Sequence, residues 1–205
     1  MTAPSRLLFA GDSITDAGRD RDDPRSLGDG YVSLVADALS ADGDHIAVLN
    51  AGISGNRVRD LERRWSADVL AQDPDVLTLF VGINDTWRRF DADDPTTVEA
   101  FEEGYRRLLS SLDDDGGPRL IVMEPYLLPV REDQEAWLED LDPKRAVVRR
   151  LAAERGATFI PLHEVLSAEA RTHSSTELAP DGVHPTRLGS QLIAGAWLRS
   201  SGLIH

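Results

Sequence analysis

Four short polar clusters in this 205-residue chain carry side chains that could do chemistry together. They are Gly-Asp-Ser-Ile-Thr at Gly11–Thr15, Asn-Ala-Gly-Ile-Ser-Gly at Asn50–Gly55, Gly-Ile-Asn-Asp at Gly82–Asp85, and Asp-Gly-Val-His-Pro at Asp181–Pro185. Ser13 offers a hydroxyl nucleophile, Gly55 a backbone N–H with no side chain in the way, and Asn84 an amide donor. His184 offers a general base, with Asp181 three residues upstream. Acyl transfer through a serine needs such a set. The base takes the hydroxyl proton, the carboxylate fixes the imidazole tautomer and stabilises the imidazolium, and the donors meet the developing oxyanion.

Taken singly, each cluster has an ordinary reading. Ser13 could cap a turn or helix, Asn84 could form an Asx turn, and Gly55 could be a turn glycine. The first cluster is also not a Gly-x-Ser-x-Gly elbow, because Thr15 stands where the second glycine would be. Among the five histidines, His45 and His173 lie in polar stretches expected to be loops, His205 is terminal, and His163 opens an expected short helix. Only His184 has a carboxylate at a spacing that one turn could fold onto its ring. Gly182 permits that turn and Pro185 stiffens its exit.

The elements that must position these residues are readable from apolar patterning. Strand-like runs occur at Leu7–Ala10, Ile46–Leu49, Val76–Val81, Leu120–Met123 and Thr158–Ile160. They are continuous rather than alternating, as expected for central parallel strands covered on both faces. Between them, helical spacing groups Val32, Val35, Ala36 and Leu39, then Val58, Leu61, Trp65 and Val69, then Val98, Phe101, Tyr105, Leu108 and Leu112 after Pro95. A further helix is expected over about 134–155, broken or kinked near Pro143, and a last one from about Arg187 to Ser200. Residues 85–95 read as a loop. Strands alternating with helices predict an α/β class protein, a three-layer α/β/α sandwich on a parallel sheet. In a 2-1-3-4-5 strand order the first three clusters lie at neighbouring carboxyl ends, where open α/β sheets bind ligands.

Composition narrows the field. The length suits one domain spanning 1–205, and the net charge of −14 opposes binding to nucleic acid or an anionic membrane. The absence of cysteine removes disulfides, thiolate catalysis and Cys-ligated metals. Lys144, the single lysine, reads as lying well away from the four clusters, which argues against Schiff-base or Ser-Lys chemistry. The Asp-rich stretches Asp20–Asp23, Asp91–Asp94 and Asp113–Asp115 lack calcium-loop spacing and read as solvated loops and caps. The apolar run near the start is too short for a signal peptide, and no stretch is long enough to span a membrane, so a cytoplasmic setting is expected. Nothing calls for a cofactor or a metal.

With these residues in view, the sequence resembles the SGNH, or GDSL-type, hydrolases. Their four blocks supply Ser, Gly, Asn and His in that order, matching Ser13, Gly55, Asn84 and His184, and the Asp before the His matches Asp181. The likeness runs from Phe9 to Leu198. It implies a flavodoxin-like fold, a Ser-His-Asp triad, and an oxyanion hole made by the N–H groups of Ser13 and Gly55 with the Asn84 side chain. A closer likeness, over Gly11–Arg19, Asn50–Leu61 and Val81–Arg88, is to small acetylxylan esterases. Those enzymes deacetylate xylan-derived oligosaccharides, and some form homo-oligomers. The resemblance thus implies a small-molecule or oligosaccharide ester substrate and allows self-association.

Trp87 and Arg88 follow the Asn84 cluster, and an aromatic with a guanidinium at a site rim suits a sugar; packing of Trp87 under the 85–95 loop is the plain alternative. The acyl pocket is expected from loops around Gly55, Asn84 and Met123–Val130, with the stretch to Leu141 also shaping it. The chain leaves no room for an apolar lipase lid. Rival readings are a thioesterase or lysophospholipase-like carboxylesterase for longer acyl chains, a phosphate-binding signalling domain, and an inactive sugar-binding relative. The second needs a lysine after strand five, where Pro161-Leu162-His163 stands, and the third would not need the full catalytic set.

Overall fold

The computed structural model describes residues 4–41, 46–112 and 116–203. His45, Asp113–Asp115 and His205 lie outside them. Five strands, β1 (Arg6–Gly11), β2 (Ala47–Gly52), β3 (Val76–Phe80), β4 (Arg119–Met123) and β5 (Thr158–Ile160), form one parallel sheet in the order β2-β1-β3-β4-β5. Helices are α1 (Ser13–Asp16), α2 (Tyr31–Ala41), α3 (Val58–Asp68), α4 (Ile83–Asp91), α5 (Val98–Ser110), α6 (Glu135–Glu154), α7 (Leu162–His173), α8 (Ser175–Leu178) and α9 (Arg187–Ser201). Among the described residues, no helix is long and apolar enough to cross a membrane.

Two apolar layers hold the sheet. Leu7, Phe9, Val76, Phe80, Ile121 and Met123 pack against α2 and α9 on one face. Leu8, Ala10, Leu77, Leu79 and Val122 pack against α3 and α5 on the other. The central strands β1, β3 and β4 therefore bury both of their faces, which is why their sequences show apolar runs and no alternation. A fully buried Leu or Phe contributes about 1.5–3 kcal/mol, so these layers dominate the stability of the scaffold. Between the sheet and α9, Trp197 Nε1 donates to Thr78 Oγ1 at 2.9 Å, which pairs two buried polar groups.

The sheet order agrees with the sequence reading, and so do the strands to within a few residues. Three helical expectations are corrected. Helix α6 runs unbroken through Pro143. Its first half buries Trp137 and Leu141 in one apolar layer, its second half buries Val147, Val148 and Leu151 in the other, and the Asp140–Lys144 ion pair spans the proline. Packing on both sides thus holds the helix together where local propensity would break it. Residues 83–91 form α4 rather than a loop, with Gly82 at its N-cap. The signal was there in Asp85 at the first turn and Arg88 and Arg89 in the last, the charge order that a helix dipole favours. His163 belongs to a twelve-residue helix, and His173 ends that same helix rather than lying in a loop.

The Asp-rich stretches that can be described are loop caps. Asp20 Oδ1 accepts from the Asp22 N–H at 3.0 Å and Asp23 Oδ1 from the Arg25 N–H at 2.9 Å, while Asp94 pairs with Arg57 and Arg59.

Candidate active site

Strand β1 delivers its cluster directly into α1. Asp12 caps that short helix, its Oδ1 accepting from the Ile14 N–H at 3.1 Å, and Ser13 is the first helical residue. The Ser13 hydroxyl lies 2.8 Å from His184 Nε2, and His184 Nδ1 lies 2.6 Å from Asp181 Oδ2. The other Asp181 oxygen accepts from the N–H groups of Val183 at 2.9 Å and His184 at 2.7 Å. A carboxylate used only as an acceptor places the imidazole proton on Nδ1. Nε2 is then free to accept from Ser13.

The electrostatics agree with the geometry. Burial, the largest influence on Asp181, pushes its pKa up. Hydrogen bonds from the His184 ring and from the His184 and Val183 backbone outweigh it and bring the value down to about 2. The bond to Asp181 raises His184 above its ordinary value, against the opposing effect of burial. Asp12 had no role in the sequence reading. It is buried beneath Ser13, where loss of hydration lifts its pKa to about 7 against the pull of the Ile14 N–H and His184.

The donor side is built from the second and third clusters. Gly55 adopts φ +81°, a left-handed conformation that costs glycine little. Buried Asn84 donates from Nδ2 to the Asn56 carbonyl at 3.1 Å, which fixes the amide while its second N–H remains for a ligand. Neither the Ser13 nor the Gly55 N–H has an acceptor among the described residues. Side chains sew the clusters together. Asn50 donates to the Thr15 and Leu27 carbonyls at 2.7 and 2.8 Å, and Asp16 accepts from the Ser54 N–H and hydroxyl at 2.9 and 2.6 Å. Asp85, buried and with its pKa raised to about 6 by lost hydration, accepts the Val58 N–H that opens α3.

The turn bearing His184 is braced from behind. Gly182 has φ +87°, and a Cβ there would lie 2.7 Å from the Leu128 carbonyl, so this turn needs glycine. Tyr126 donates its hydroxyl to the Val183 carbonyl at 2.6 Å, and Gln134 Nε2 donates to the Asp181 carbonyl at 2.6 Å. Within the Met123–Leu141 stretch, expected to help shape the substrate pocket, Met123, Tyr126, Leu127, Leu128 and Gln134 are buried, and Trp137 packs on Trp87 beside His184. Sequence reasoning missed Gln134 and Tyr126, because a bond to a backbone carbonyl leaves no motif.

Lys144 also requires correction. It is fully buried, paired with Asp140, and donates to the Asp85 carbonyl and the Thr86 hydroxyl at 3.2 Å each. It therefore sits directly under the third cluster rather than far from it. Its ammonium is engaged there in a structural network.

Trp87 lies between helix α6 and the His184 turn. The half-buried ring packs 5.4 Å from Trp137 and stands 5.6 Å from the His184 ring. Arg88 is ion-paired with Asp91, and its Nη2 lies 3.9 Å from where a Cβ on Gly55 would be. The cleft opening at Ser13 and His184, about 490 Å³, is bordered by Gly18, Asp29, Thr186 and Arg187. It lies toward α1 and α9. Among the described residues no group of three or more His, Asp or Glu is placed to hold a metal.

This arrangement is chemically able to activate a hydroxyl and stabilise an oxyanion. The model of the GDSL-like Lipase/Acylhydrolase family matches residues 9–192. The chain belongs to this family. As a GDSL-like acylhydrolase it is a carboxylic ester hydrolase. It is 37% identical over 206 residues to an acetylxylan esterase of Geobacillus stearothermophilus, covering 96% of this chain and 94% of that one. A crystal structure of an acetylxylan esterase from the same organism superposes with a TM-score of 0.90 at 34% identity, over 99% of this chain and 97% of the other. A protein from Parabacteroides merdae superposes with a TM-score of 0.93 at 33% identity, over 99% and 98% of the two chains. Variants of the Geobacillus acetylxylan esterase with a Ser, an Asp or a His replaced by Ala are catalytic mutants of that enzyme, its Asp standing three positions before its His. The likeness to these GDSL-like hydrolases extends over the whole parallel α/β fold.

Proposed function

We propose that this esterase removes acetyl groups from acetylated xylo-oligosaccharides or similar carbohydrates by a Ser-His-Asp acyl-enzyme mechanism. The observation that carries the reading is the unbroken hydrogen-bond chain Ser13–His184–Asp181, at 2.8 and 2.6 Å. Ser13 Oγ attacks the ester carbonyl carbon while His184 Nε2 takes its proton. The N–H groups of Ser13 and Gly55 and the Asn84 amide receive the oxyanion. Collapse expels the alcohol, which leaves with the proton from His184, and a water activated by the same nitrogen then hydrolyses the acetyl-enzyme.

Three observations favour a carbohydrate acetyl ester. Asp29, Thr186 and Arg187 border the cleft beside Ser13 and His184, where they can bond sugar hydroxyls. Trp87, beside His184, offers a ring edge, and Arg88 reaches toward Gly55. The 37%-identical relative is an acetylxylan esterase. A cytoplasmic setting fits the cysteine-free sequence.

The test is acetate release from acetylated xylo-oligosaccharides, with acyl-CoA and lysophospholipid run in parallel. Release from the oligosaccharide alone is expected. Preferential cleavage of the long-chain substrates would replace this reading with the thioesterase-like one. Asp29→Ala and Arg187→Ala should raise KM for the oligosaccharide while leaving p-nitrophenyl acetate unaffected.

A further inference from the structure

We propose that Arg64 is a positioning residue for the oxyanion donors, an inference that rests on the serine-esterase reading above. Arg64 lies in α3 with its side chain 14% exposed. Its guanidinium engages four groups. Nε donates to Asn56 Oδ1 at 2.7 Å, Nη1 to the Ala51 carbonyl at 2.7 Å and to Asp68 Oδ2 at 2.9 Å, and Nη2 to the Gly11 carbonyl at 3.0 Å.

Three of those partners belong to the segments that carry the donors. Gly11 ends β1 just ahead of Ser13, Ala51 lies in β2, and Asn56 follows Gly55 directly. The Asn56 carbonyl in turn holds the Asn84 amide at 3.1 Å. One planar cation therefore touches the first and second clusters and, through a single residue, the third. The fork geometry of arginine suits this task, since its donors are fixed in one plane and reach several acceptors at once, whereas lysine is a point charge.

Anchoring α3 to the sheet does not require this arrangement. Val58, Leu61 and Trp65 already bury the helix in the core, and Asp85 holds its first N–H. The guanidinium bonds go instead to the loop ends on which the donors ride. Oxyanion stabilisation depends on donors being in place before charge develops. A displacement of about 1 Å in such a site can cost on the order of 10²-fold in rate. Arg64 touches none of the reacting groups and acts through the backbone it holds.

The experiment compares wild type, Arg64→Lys and Arg64→Ala on p-nitrophenyl acetate, with active sites counted by titrating Ser13 with a fluorophosphonate. A role limited to folding would lower the number of titratable sites and leave kcat per site unchanged. Expected instead is a fall in kcat per site of about 10-fold for Arg64→Lys and about 10²-fold for Arg64→Ala, with KM within about 3-fold of wild type. If Arg64→Ala does not fold, Arg64→Lys decides. A kcat per site within about 2-fold of wild type in Arg64→Lys, or a loss carried by KM alone, overturns the inference. Failure of the reagent to label Ser13 in the wild-type enzyme would defeat the serine-esterase reading itself. A labelled wild type with fully active variants defeats only the role of Arg64.

Discussion

In the proposed mechanism the chemistry turns on Ser13. Ser13→Ala should fold normally and lose at least ~10³-fold in kcat, since the covalent route disappears while the oxyanion donors remain. Labelling by a fluorophosphonate should stop, and labelling retained at another serine would refute the assignment. Asn84→Ala removes one donor and should lower kcat by about 10²–10³. The pH profile tests His184. Only the neutral imidazole accepts the Ser13 proton, so activity should rise with pH as His184 deprotonates. Because Asp181 favours the imidazolium, the midpoint should lie above the ordinary histidine value of about 6.5. Asp181→Asn removes that charge, so its midpoint should move to lower pH while kcat falls by roughly 10²–10⁴. A midpoint that does not move would mean that another group controls the limb.

Among the elements, the turn that carries His184 depends most on its neighbours. Gln134 is buried, bonded to the Asp181 carbonyl, and accepts the Val130 N–H at 2.9 Å. Gln134→Ala leaves both backbone groups without that partner and should destabilise the fold by about 1–3 kcal/mol, with a lower kcat as Asp181 loosens. Urea unfolding alongside kinetics would check this, and unchanged values in both would show that the turn holds itself. These elements also show what a sequence can reveal. The strands were legible because burial on two faces writes itself as an apolar run, as at Leu7–Ala10. The proposed reactive side chains stood out because acyl transfer demands particular residue types. Helix α4 was obscured by a polar first turn, and the continuity of α6 through Pro143 depends on packing that no local pattern records. Gln134, Tyr126 and Arg64 stayed hidden because each binds backbone carbonyls, and every residue supplies one.

For the molecule as a whole, the cleft determines which esters fit. Acetyl esters should be hydrolysed best, with kcat/KM falling steeply beyond butyryl. The acyl group of a bound ester must lie between Ser13 and the proposed donors Gly55 and Asn84, a space that Trp87 and Arg88 border. A methylene that finds an apolar wall contributes about 0.8 kcal/mol, whereas one that does not loses that and can add a clash. The profile across p-nitrophenyl esters should therefore break rather than decline smoothly. Octanoyl esters turned over as fast as acetyl esters would contradict the deacetylase reading. The burial of Lys144 has a separate, practical consequence. With the single lysine enclosed and no cysteine in the chain, the folded surface presents no side chain to amine or thiol reagents. Acylation of Lys144 then becomes a one-site clock for opening of the fold, read by mass spectrometry. A cysteine introduced at exposed Leu70 would be a unique handle for a dye or a solid support.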